Sequence, residues 1–289
     1  MSTDDFAFGA RRLSGLQPKE QPLISVLLQT TIAPDADDWS IERFGLLRQF
    51  LSGSRGSDGR PLFNVIARDR GPVGRPDPVL SALHGSAFDE LWLLAVGTEE
   101  GLMPEDCEGI RRFRQRGGGL MLTCDRRAPA AATRRPAYHS GVNGDYQSVR
   151  VVGEPHAVLH DPLAPGGFVR YLPAHPHEGM VMAPDNEPGA RVILRGHSFA
   201  SGADFNLAVA IERSAERGPA IAQSSFRHFC DYNWNLAKGA PSFVNDVPGD
   251  GLEHFPEAVR STQQYVRNVA LWLAGRSPFF APSLTGDRP

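Results

Sequence analysis

The sequence predicts an α/β protein with a mainly parallel central sheet flanked by helices. Three observations carry this. Short, nearly unbroken apolar runs recur at 23–29, 62–67, 89–96 and 120–123. Amphipathic helical patterns fall between several of them, and the links are short and rich in Gly, Pro and Asp. Unbroken apolar runs of strand length suit strands buried on both faces, as in parallel sheets. Strands alternating with helices over short links imply right-handed βαβ crossovers.

The first strand, LISVLLQ at 23–29, owes its assignment to its length and its Ile and Val. A helix is expected over about 39–52, because Trp39, Ile41, Phe44, Leu47 and Leu51 recur at helical spacing. Asp37 or Asp38 is placed to cap it. The strand at 62–67 leads through a polar loop to a short helical turn at 79–84, and the strand at 89–96 follows. Pro104 suits the first turn of the next helix, and Glu105 and Asp106 complement its positive end. Cys107, Ile110 and Phe113 then form an inner face, opposite a solvated face of Arg111, Arg112, Arg114 and Arg116. Gly117–Gly119 stop that helix, since glycine accepts the left-handed terminal conformation without penalty.

Beyond Asp125 the pattern loosens, and 126–148 reads as an irregular insertion. Short strands are expected at 148–152 and 168–172. Segments 191–195, 205–211 and 220–224 are strand-like and would extend the sheet in antiparallel fashion. Pro256 opens a last helix with Val259, Val266, Val269, Trp272 and Leu273 on its apolar face, and Gly275 ends it. The expected organisation is an arm at 1–21, one domain at 22–275 and a tail at 276–289.

The chain has 289 residues, 41% of them hydrophobic and 22% charged, which suits a globular protein. A net charge of −3 makes no electrostatic case for nucleic acid or an anionic membrane. The longest apolar runs are too short to span a bilayer, so no membrane partner is expected. The residues after Met1 carry acids and no apolar run of the kind a secretory signal needs. Cys107, Cys124 and Cys230 form no CxxC pair, which points to a reduced, cytoplasmic setting. GxGxxG and GxxxxGK[ST] are absent, and no cofactor is expected.

Three constellations could carry chemistry. Cys124 stands where the fourth strand ends, a position open to a thiolate nucleophile; a buried core cysteine is the plainer reading. Cys107 and Cys230 read as packed. The segment HPHEG at 175–179 offers His175 and His177, which share a side if the backbone is extended, beside Glu178. That set could transfer protons or hold a cation with a third ligand from His139, His156, His160 or His228. It lacks a signature spacing such as HExxH, so no metal ligands are assigned. The segment SSFRHFCDYNWN at 224–235 is the densest mixture of polar and aromatic residues. His228 and Asp231 are three apart, so on a turn Asp231 could orient the imidazole. Tyr232 and Trp234 could stack on a sugar ring, or could simply anchor a long loop.

The order of segments resembles a known family. PEDCEGIRRFRQRGGGLML at 104–122, EPHAVL at 154–159, HEGMV at 177–181, RGPAIAQSSFRHF at 217–229 and YVRNVALWLAG at 265–275 are similar in order to the class I glutamine amidotransferase-like superfamily. The likeness is greatest to its ThuA-like (trehalose-utilisation) branch. The resemblance implies a flavodoxin-like three-layer sandwich. It also implies a small-molecule pocket, of carbohydrate class, at the C-terminal strand ends. The family's Gly-x-Cys-x-Gly is Leu122-Thr123-Cys124-Asp125-Arg126 here, and its Gly-His is Arg227-His228. The nucleophile turn needs small flanking residues, so glutaminase activity is not implied. The expected catalytic set is Cys124, Glu178, His228 and Asp231, with Asp125, His177, Tyr232 and Trp234 binding substrate. The alternatives are a hydrolase using Cys124 and a catalytically silent domain acting through a protein partner or a homo-oligomer.

Overall fold

The computed structural model describes residues 22–94, 101–123 and 138–278. The arm at 1–21, most of the expected tail and Cys124, Asp125 and the Arg-rich stretch after them lie outside the described residues. Ten strands are described: β1 (Ile24–Thr30), β2 (Phe63–Arg68), β3 (Glu90–Leu94), β4 (Gly119–Thr123), β5 (Tyr146–Ser148), β6 (Arg150–Val151), β7 (Tyr171–Pro173), β8 (Ala190–His197), β9 (Asp204–Ile211) and β10 (Ala220–Gln223). The α-helices are α1 (Gly45–Gly53), α2 (Pro104–Gln115), α3 (Asp231–Trp234), α4 (Gly251–His254) and α5 (Pro256–Leu273).

Eight strands form one sheet in the order β2-β1-β3-β4-β10-β9-β8-β6, and β5 and β7 form a separate antiparallel pair. β2, β1, β3, β4 and β10 all run parallel. β9 joins β10 antiparallel, β8 joins β9 and β6 joins β8 in the same way. The expected antiparallel extension holds for β8 and β9 and fails for β10, which lies parallel to β4 with Gln223 opposite Thr123. A parallel β10 carries its C-terminal end, and the loop after it, to the same edge as the ends of β1, β3 and β4.

Side-chain alternation along the strands divides the apolar residues between two faces. Val26 and Leu28 of β1, Trp92 and Leu94 of β3 and Met121 of β4 pack with Leu47 and Leu51 of α1 and with Val266 and Val269 of α5. Leu27, Leu91 and Leu93 face the other way, onto Ile110 and Phe113 of α2. The sheet therefore has α1 and α5 on one face and α2 on the other. A parallel sheet needs both faces covered, because its strands are apolar on both.

Local details modify the expectations. α1 begins only at Gly45, after a 3-10 turn at Ile41–Phe44. Neither Asp37 nor Asp38 caps it: the Asp37 carboxylate accepts from the Ser242 backbone N–H (2.7 Å) and hydroxyl (2.5 Å). In α2 the buried face is Asp106, Gly109, Ile110 and Phe113, and Cys107 is exposed, contrary to its expected inward place. The helix turns this way because the Asp106 carboxylate accepts from the Asp77 and Met103 N–H groups and pairs with Arg70. Gly109 allows the approach, since a β-carbon there would meet the Leu80 carbonyl oxygen at 2.1 Å. Gly117, at φ +101°, ends α2 as expected. Cys230 is fully buried, as expected. Among the described residues, no helix is long and apolar enough to cross a membrane.

Candidate functional site

The chemistry collects where β10 ends. After Gln223 come Ser224 and Ser225, and the Ser225 hydroxyl accepts from the Arg227 N–H at 3.1 Å. That bond caps a 3-10 turn at Phe226–His228 and fixes His228 at the strand end. Open α/β sheets bind ligands at this carboxyl edge.

Glu178 arrives from the loop after β7. Its backbone pairs in both directions with Tyr138, at 3.0 and 2.9 Å. A bend at Pro176–His177 then brings His175 and Glu178 onto one side. Glu178 Oε1 lies 2.7 Å from His228 Nε2 and also accepts from the Ser224 hydroxyl at 3.2 Å. Glu178 Oε2 accepts from the Ser140 hydroxyl at 2.5 Å and from Gln147 Nε2 at 2.9 Å. His175 Nε2 stands 4.0 Å from the same oxygen. His175, Glu178 and His228 are all fully buried.

A second chain of bonds sets the imidazole of His228. The Tyr265 hydroxyl of α5 donates to Gln223 Oε1 at 2.8 Å. That orientation turns Gln223 Nε2 toward His228 Nδ1, 2.9 Å away. On this hydrogen-bond assignment Nδ1 accepts, and Nε2 carries the proton directed at Glu178. His175 differs: neither of its ring nitrogens has a hydrogen-bond partner. Burial holds its pKa well below the usual histidine value, reinforced by the positive Arg227 and the neighbouring histidines, so it is neutral at pH 7.

The cluster sits behind a groove. Ser140 and Gln147, which both bond Glu178, also line a depression of about 640 Å³ with Asp145, Tyr146, Ser148 and His197. The groove is thus one side chain from the carboxylate. Two kinds of chemistry fit such an arrangement. A hydrogen-bonded carboxylate–imidazole pair can move protons. Two imidazoles and a carboxylate can also ligate a cation, and the donor atoms of His175, Glu178 and His228 all lie within 4.8 Å of one another.

The other expected site residues are placed as follows. His177 does not converge with His175; the bend turns it outward, half exposed, 3.7 Å from Asp246. Asp231 does not orient His228. Its oxygens accept from the Gly45 N–H (3.0 Å) and the Leu46 N–H (2.7 Å), so it caps α1. Burial raises its pKa despite those bonds. Tyr232 and Trp234 line a separate cavity of about 340 Å³ with Asn233, Asn235, Leu236 and Leu252. Trp234 Nε1 donates to the His228 carbonyl at 2.8 Å, which ties that cavity to the cluster. Cys124 and Asp125 lie outside the described residues, one and two positions past Thr123 of β4. Burial pushes the Cys230 thiol up to about 12, leaving it inert. His156, one of the other candidate ligands, lies elsewhere, packed on Trp272 and bonded to Glu212.

Sequence reasoning missed Ser140, Gln147, Gln223 and Tyr265. No spacing links them to Glu178 or His228, and only the sheet brings them together.

No protein-family model matches the sequence, and no curated protein does. Among solved structures, a protein described as ThuA-like from Parabacteroides merdae superposes with a TM-score of 0.51 at 12% identity, over 89% of this chain and 92% of that one. The chain shares its overall fold with that protein. A second protein so described, from Bacteroides uniformis, gives 0.44 at 12% identity, over 91% and 99% of the two chains. A cytoplasmic protein from Salmonella typhimurium gives 0.44 at 11%, over 86% and 99%. At such identity the likeness extends to the fold alone.

Proposed function

We propose that this chain binds a small, polyhydroxylated molecule of carbohydrate class in the groove beside Ser140 and Gln147. The buried cluster of His175, Glu178 and His228 is its chemical centre. The observation that carries this reading is the double role of Ser140 and Gln147, which wall the groove and hold the Glu178 carboxylate. Hydroxyl, amide, carboxylate and imidazole groups beside the rings of Tyr146 and Phe199 suit a ligand with many hydroxyls. A buried carboxylate with four donors on it is held at one position, which chemistry on a bound ligand requires.

The reading includes one domain over 22–275 of the class I glutamine amidotransferase-like, three-layer type. The order β2-β1-β3-β4-β10 and the helices on both faces support it. It assigns no glutaminase activity, because Leu122 and Arg126 flank Cys124 where a strained nucleophile turn wants small residues. It also takes the protein to work in the cytoplasm.

The test is calorimetric titration of the protein with a panel of disaccharides, sugar acids and polyols. At least one should bind, and Gln147→Ala should weaken it about tenfold by removing a groove-wall hydrogen bond. An absence of binding across the panel, or a Q147A protein that binds as well as the parent, would overturn the reading. Hydrolysis of glutamine by the purified protein would overturn its exclusion of glutaminase activity.

A further inference from the structure

We propose that His175, Glu178 and His228 hold one divalent transition-metal ion of the zinc class. The proposal rests on reading this cluster as the chemical centre and names the cofactor that centre would use.

The donors come from two separate loops, one after β7 and one after β10, and meet within 4.8 Å in a fully buried place. His175 is the telling member. Its two ring nitrogens make no hydrogen bond in the protein interior, where polar groups are ordinarily paired. A hydrogen-bonding structural role therefore does not explain an imidazole at this position, whereas one nitrogen lone pair kept for an ion gives the ring a use. Gln147 Oε1, beside Glu178, is likewise buried and unpartnered.

Around His228 and Glu178 the surroundings resemble the outer layer that metal ligands need. Ligating imidazoles ordinarily bond through their other nitrogen, and ligating carboxylates are held by hydrogen bonds. Gln223 and Tyr265 attend the Nδ1 side of His228. Ser140, Ser224 and Gln147 attend Glu178. Loading an ion displaces the proton between His228 Nε2 and Glu178. The imidazole then carries its proton on Nδ1, Gln223 turns its amide to present Oε1, and Tyr265 accepts from the amide nitrogen.

Two imidazoles with one carboxylate favour a transition metal over magnesium or calcium, which prefer oxygen ligands. Three protein ligands also leave a coordination position for water or substrate, and the groove behind Ser140 and Gln147 lies on the Glu178 side.

The experiment uses the full chain made without a histidine tag and stripped with a chelator. Zn²⁺ is titrated by calorimetry, and Co²⁺ is followed by its visible absorption. The expected result is one ion per chain and a cobalt spectrum of nitrogen and oxygen ligation. His175→Leu removes no hydrogen bond, so it should fold, yet its affinity should fall at least about 100-fold. His177→Ala, one bend away and outward-facing, should bind as the parent does. Should H175L fold poorly, His175→Gln carries the same comparison. No stoichiometric ion in the folded parent, or parent-like affinity in a folded His175 variant, overturns the proposal. The readout needs no organic ligand. A failed sugar panel thus leaves it standing, and sugar binding without metal binding removes the ion alone.

Discussion

Glu178→Gln in metal-free protein probes the centre most directly. The carboxylate receives four donors, two on each oxygen: His228 and Ser224 on Oε1, Ser140 and Gln147 on Oε2. Glutamine keeps one oxygen, so in either orientation its amide nitrogen faces two donors. Hydrogen bonds to a charged acceptor contribute about 1.5–3 kcal/mol each, so losing two costs roughly 3–6 kcal/mol. Serine hydroxyls can rotate to accept from the new amide, which sets the expectation near the lower end, about 3–4 kcal/mol. For a chain of this size each kcal/mol moves Tm by roughly 2–4 °C, so a drop of about 6–16 °C is expected. Circular dichroism melting and urea unfolding would measure it, with the slope against urea unchanged so that the difference is one of stability. A loss under about 1 kcal/mol would show that the carboxylate does not hold this network together.

Two further outcomes follow from other buried acids. Asp231→Ala removes the acceptor for two N–H groups at the start of α1, so stability should fall by about 1–2 kcal/mol. Ion and sugar binding should not change; a loss of either, in a folded protein, would restore Asp231 to the site. Glu90 is fully buried, and desolvation raises its pKa well above 4.5. The unfolded chain therefore releases this proton at lower pH than the folded one. Its contribution to stability is full below about pH 4.5 and declines as pH rises toward the folded pKa. Glu90→Gln keeps an acceptor for Trp92 Nε1 and cannot ionise. It should match the parent near pH 4.5 and exceed it at pH 8 in urea unfolding. An equal difference at both pH values would refute the argument.

The fold was legible where structure is local. Strands β1 to β4 and helices α1, α2 and α5 follow from apolar runs, helical spacing, Pro at helix starts and Gly at their ends. Where the sequence misled, a longer-range bond won. Cys107 and Ile110 are spaced for one face, yet Asp106 reaches Arg70 and Asp77 and turns the helix, exposing Cys107. Segment 220–224 reads as a strand, but no residue in it says which neighbour it pairs with; β4 takes it in parallel. His228 and Asp231 are spaced to share a face, yet the open N–H groups of α1 claim the carboxylate first.

The sequence by itself determined that this chain is an α/β protein with parallel strands, and it marks Glu178 and His228 as candidates for chemistry. Residue types and periodicity suffice for that, because strand and helix formation depend on neighbours a few positions away. Only the tertiary structure decided that His175, and not His177, stands with them, that Ser140 and Gln147 join them to a groove, and that Gln223 and Tyr265 set the imidazole. Those contacts join segments far apart along the chain, and one bend at Pro176–His177 selects which histidine turns inward.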